Sequence, residues 1–148
     1  MTDILDFFSK AYYKLIGNNK LRYYERFCLD EWKKHLNNDA KIILERQLSM
    51  FDYISRVPHG LKTVFYSIRD PELKSWTKKD FFSNLKPDLK VFSGTIVGNI
   101  EDIEISIEFD IFVHKGRVFS IEFKNDTKLL MRTEKLKILK ERVVNQIT

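Results

Sequence analysis

Seven carboxylates crowd into residues 101–126: Glu101, Asp102, Glu104, Glu108, Asp110, Glu122 and Asp126, against Lys115, Arg117 and Lys124. The 148-residue chain carries +5 overall, so a segment at −4 leaves +9 on the remainder. Carboxylates held together on one surface repel each other, and a sheet that keeps them there offers a docking surface for a cationic partner. Other chemistry is thinly supplied. Cys28 is the only cysteine, so no intrachain disulfide can form. It stands between Phe27 and Leu29 with no neighbouring base to activate it, and it reads as a small buried hydrophobe. His35, His59 and His114 are scattered, with no pair at metal-ligand spacing. The residues therefore point to no catalytic set, no metal site and no cofactor.

The elements that must position these acids begin with a strand. Ile103, Ile105, Ile107, Phe109, Ile111 and Val113 alternate with Asp102, Glu104, Ser106, Glu108, Asp110 and Phe112, one face buried and one mostly wet. Phe119, Ile121 and Phe123 alternate with Ser120, Glu122 and Lys124 on the next strand. A loop of His114-Lys115-Gly116, with Gly116 in the left-handed position, predicts Ile111 opposite Phe119, Phe109 opposite Ile121 and Ile107 opposite Phe123. On the wet face this register sets Glu108 against Glu122, Asp110 against Ser120 and Ser106 against Lys124. Asp110 and Glu122 become diagonal neighbours, and Glu104, Glu108, Asp110 and Glu122 form the candidate partner-binding set.

Glu108-Phe109-Asp110-Ile111, followed by Ser120-Ile121-Glu122-Phe123-Lys124, resembles the D…(D/E)-x-K signature of the PD-(D/E)XK nuclease superfamily over about seventeen residues. The resemblance implies an alternative catalytic reading: Asp110 and Glu122 as Mg²⁺ ligands, and Lys124 positioning or activating the attacking water. Phe109 stands where that signature often carries proline.

A longer resemblance runs over about residues 36–125. It is carried by Ile43-Leu44-Glu45-Arg46-Gln47-Leu48-Ser49-Met50-Phe51, Arg56, Gly60, Phe65-Tyr66 and Gly116-Arg117-Val118-Phe119-Ser120-Ile121-Glu122-Phe123. This pattern is similar to small bacterial α+β proteins, a group that brings no activity with it.

Around the hairpin, apolar spacing predicts helices over 2–16, 20–36 and 40–56, the last capped by Asp39 and stopped before Pro58. A strand is expected over 61–68, and a short helix capped by the Thr77-Lys78-Lys79-Asp80 box. A further strand over 88–97 leads to a turn near Gly98-Asn99, and a basic helix over 128–146 ends the chain. The fold class read from this pattern is α+β in one domain over 1–148. N-terminal helices pack on a C-terminal antiparallel sheet of about four strands, with a C-terminal helix.

Hydrophobic residues at 43% and twelve Phe support a filled core. The first residues carry an acid and no basic run, unlike a secretory signal. No apolar run approaches the roughly 20 residues of a membrane span. The expected location is cytoplasmic. The expected function is a non-enzymatic protein-binding module, an immunity-type protein neutralising a bacterial toxin with a basic domain. The Mg-dependent nuclease is the alternative. Nucleic acid binding ranks below both, because the basic terminal segment carries no interleaved aromatics.

Overall fold

A computed structural model describes residues 20–148 apart from Glu134. The helix expected over 2–16 lies outside these residues. Helix α1 spans Tyr23–Lys33 and buries Tyr24, Cys28, Leu29 and Trp32, a stripe at i, i+4, i+5 and i+8. Helix α2 spans Asn38–Met50. Its cap is Asn37 rather than Asp39, with Asn37 Oδ1 accepting the Ala40 N–H at 2.8 Å.

The sheet has six antiparallel strands: β1 Tyr53–Arg56, β2 Lys62–Tyr66, β3 Leu89–Ile100, β4 Ile103–His114, β5 Arg117–Phe123 and β6 Leu136–Val143. Their order is β1-β2-β5-β4-β3-β6. The two outermost strands are those the sequence pattern gave to helices. After Met50, Phe51 turns extended, and Tyr53–Arg56 pairs with β2 instead of continuing α2.

The expected terminal helix is replaced by a short 3-10 turn, Lys128–Arg132, and by β6 on the edge of β3. Lys, Leu, Glu and Arg favour a helix intrinsically, but β3 offers a row of open backbone groups, and tertiary pairing overrides a weak propensity. A bulge at Leu139 separates the pair Thr95–Lys140 from Ile96–Ile138 and hides the strand alternation.

The β4–β5 register also differs from the expectation. His114 pairs with Arg117, leaving a two-residue turn in which Lys115 (φ 50°) and Gly116 (φ 83°) are both left-handed. A bulge at Phe119 then shifts the ladder by one residue. Ile111 therefore faces Ile121, and Phe109 faces Phe123. Apolar still meets apolar, as burial requires, but the bulge achieves it rather than a longer loop.

Gly116 is the one residue here that fits. A Cβ would stand 2.7 Å from the Phe82 carbonyl oxygen. The Phe82 N–H donates to Gly116 O at 2.7 Å. Buried Gln47 completes the clamp: its Nε2 donates to Asp80 O (2.7 Å) and Gly116 O (3.0 Å), and its Oε1 accepts Val118 N–H (2.8 Å). The capping box survives as expected, with Asp80 accepting Thr77 N–H at 2.7 Å.

The β3–β4 turn falls at Glu101-Asp102, both with positive φ, two residues beyond Gly98-Asn99. Gly98 stays inside β3 because Thr133 and Leu136 lie about 3 Å from where its Cβ would be.

Both helices cover one face of the sheet. Phe92, Ile96, Phe109, Ile111, Ile121 and Phe123 meet Tyr24, Cys28, Leu29, Trp32 and Leu44 in one core. Each such side chain contributes roughly 1.5–3 kcal/mol on burial. Burial pushes the Cys28 thiol well above its ordinary range, with Glu25 adding to the effect, so it packs as a hydrophobe. Glu25, fully buried, ties α1 to the sheet. It accepts from Arg56 Nε (2.8 Å), Arg56 Nη2 (2.6 Å) and Thr63 Oγ1 (2.6 Å). Among the described residues no helix is long and apolar enough to cross a membrane.

Candidate functional site

The face of the sheet turned away from the helices carries the candidate acids. Directly paired residues share a face, so the ladder places Arg142, Ser93, Asp110, Glu122 and Lys62 in one row across β6, β3, β4, β5 and β2. At about 4.8 Å per strand the row spans roughly 19 Å. Asp110 thus lies opposite Glu122, not Ser120, and Glu108 is freed from facing Glu122. The correction follows from the two-residue turn and the Phe119 bulge together, each of which moves the partners of β4 by one residue.

Two carboxylates side by side would repel, and each is held by cations instead. Asp110 is nearly buried, its side chain 7% exposed. Oδ1 accepts the Ser93 hydroxyl at 2.5 Å, while Oδ2 meets Lys124 Nζ at 3.0 Å and Lys90 Nζ at 3.2 Å. Burial pushes this carboxyl upward, but the Ser93 hydroxyl and the two ammonium groups outweigh it and hold the group below its ordinary value. Asp110 in turn raises Lys124. Glu122 pairs with Lys62 at 3.3 Å.

Glu104 and Glu108 behave differently. Both are exposed, and neither makes an ion pair among the described residues. Glu104 sits at the far end of the β3–β4 hairpin, next to the Glu101-Asp102 turn and beside Ile103, which is 67% exposed.

The face is therefore not uniformly acidic. Strand β6 adds Lys137, Lys140 and Arg142, paired with Val97, Thr95 and Ser93. A groove of about 440 Å³ opens beside Asp110, where Lys90, Lys124, Lys140 and Arg142 stand against Glu108 and Glu141. Lys62, Lys90, Ser93 and the β6 cations were not legible as site residues. Ser93 lies in a strand apolar on both faces, and β6 was masked by its helical composition. Like-charge repulsion between Asp110 and its neighbours was the one available signal that compensating cations must exist.

Asp110, Glu122 and Lys124 do come together, as the nuclease resemblance implies. The arrangement does not fit a resident Mg²⁺. Both Asp110 oxygens are taken, two ammonium groups occupy the side a cation would approach, and Glu122 is engaged by Lys62. Among the described residues no three His, Cys, Asp or Glu side chains gather as a metal-ligand group. No protein-family model, no curated protein and no solved structure matches the chain.

Proposed function

We propose that this chain is a non-enzymatic protein-binding module of the immunity type, docking a cationic protein partner through the exposed acids of the β3–β4 hairpin. One observation carries this reading. The acids divide into a neutralised pair, Asp110 and Glu122, and an exposed set that has no ion-pair partner among the described residues, Glu104 and Glu108. Unpaired carboxylates on one sheet face supply electrostatic steering toward a cationic partner. A toxin that handles an anionic substrate presents a cationic cleft, and an acidic hairpin is the complementary shape and charge.

The partner-binding set is accordingly Glu104 and Glu108, with Asp110 and Glu122 holding the sheet beneath them. The test is affinity capture from the native host with wild type and with the double variant Glu104→Gln/Glu108→Gln. The expected result is a basic protein retained by wild type and lost by the variant. The same protein retained equally by both would overturn the assignment.

The alternative, a Mg-dependent PD-(D/E)XK-like nuclease, is favoured by one observation, the direct pairing of Asp110 with Glu122 beside Lys124. Purified protein is expected to show no Mg²⁺- or Mn²⁺-dependent cleavage of DNA or RNA. Cleavage that disappears in both Asp110→Asn and Glu122→Gln would establish the nuclease instead.

A further inference from the structure

A second groove, of about 380 Å³, lies where the β1–β2 connection meets the segment after β5. None of the hairpin acids lines it, and it is independent of the docking reading. Its floor is Arg56, whose side chain is only 11% exposed. Arg56 Nε and Nη2 are committed to Glu25 and to the Lys20 carbonyl. Nη1 makes no hydrogen bond among the described residues, so a largely buried guanidinium keeps donor capacity on the groove.

Two more cations stand on the rim. Arg22 donates to the Tyr24 hydroxyl at 3.3 Å and meets no carboxylate through its side chain, and Lys128 makes no ion pair among the described residues. The single acid of the lining, Asp126, is already engaged: Oδ1 accepts Lys128 N–H at 2.8 Å, and Oδ2 lies 3.3 Å from His59 Nδ1. The wall is rigid. Buried Thr127 hydrogen-bonds the His59 and Gly60 carbonyl oxygens and the Tyr24 hydroxyl.

We infer that this groove binds a phosphate monoester or free phosphate dianion, held by Arg56 Nη1 from below and by Arg22 and Lys128 from the sides. Two guanidinium-bearing residues and a lysine lining one groove match a tetrahedral dianion, whose oxygens accept several charge-assisted bonds at once. The volume lies within the range of small-ligand pockets. Val57 and Met131 on the same lining give an attached organic group an apolar wall.

The experiment is an amide NMR titration of the full chain at constant ionic strength, with inorganic phosphate in one arm and a nucleoside monophosphate in the other. Chloride serves as the control. Saturable shifts are expected at Arg22, His59, Gly60, Thr127 and Lys128. The double variant Arg22→Gln/Lys128→Gln should keep its remaining spectrum and bind about tenfold or more weakly, since two charge-assisted donors are removed. Tighter binding of the ester would identify an organic phosphate as the ligand, and equal binding would identify the free ion. Shifts that never saturate, or that chloride reproduces, would overturn the site. So would a double variant with unchanged spectrum and affinity within about twofold of wild type.

Discussion

Asp110 and Glu104 lie on the same strand, on the same face, six residues apart, and they do opposite things. Asp110 is nearly buried and held by Ser93, Lys90 and Lys124, whereas Glu104 stands exposed at the hairpin end. The difference comes from the cross-strand neighbours. In the middle of the sheet, β3 brings Lys90 and Ser93, and the residue after β5 brings Lys124, alongside β4, while at the hairpin end Asn99 is the β3 partner. A run of acids in a sequence is thus not one feature. Each carboxylate takes its role from the strands that pair beside it.

The largest expected effect comes from breaking the register that creates this contrast. Gly116→Val forces a β-branched residue to φ 83° and sets its Cβ against Phe82 O. Backbone strain there costs about 1–3 kcal/mol, and overpacking adds a similar amount. Chemical denaturation should show a large loss of stability. A midpoint unchanged within error would show that the turn does not have this conformation.

Next in size is Asp110→Asn, which removes the shared partner of Lys90 and Lys124. Hydrogen bonds to charged groups contribute about 1.5–3 kcal/mol, and a loss of that order is expected in urea melts at neutral pH. A variant as stable as wild type would place Asp110 among the free acids.

The same contrast has a pH signature. Asp110 titrates lower in the folded chain than its ordinary value, so it releases its proton more readily when folded. Its contribution to stability is present above the unfolded pKa, about 3.9, and is lost as pH falls through the lower folded value. The stability gap between wild type and Asp110→Asn should therefore narrow as pH drops from about 7 to about 3. A gap that stays constant over that range would mean the carboxylate charge is not what Lys90 and Lys124 hold.

Much of this was readable in the sequence, for identifiable reasons. The strict alternation from Ile103 to Val113 exposed β4, and Gly116 marked the left-handed turn. The stripes of α1 and α2 marked helices whose centres hold and whose ends shift by a few residues. What failed did so at bulges and edges. The tighter turn and the extra residue at Phe119 each shifted the ladder by one, moving Asp110 from Ser120 to Glu122, and the bulge at Leu139 made β6 look helical. Neither bulge leaves a local mark, because each is stabilised by a partner strand distant in sequence. The neutralising cations were hidden for the same reason: Lys62 and Lys90 come from two separate strands and Lys124 from the residue after a third.

The smallest stability effect belongs to Glu104→Gln/Glu108→Gln, expected to stay within about 0.5 kcal/mol of wild type. Its binding effect is the most direct test of the division between held and free acids. Association rates of the captured partner should be compared for wild type and this double variant at low and high salt. Steering by unpaired carboxylates predicts a wild-type rate that falls as salt rises, a slower variant at low salt, and convergence of the two at high salt. Equal association rates at low salt would contradict the assignment and move the interface away from the β3–β4 hairpin.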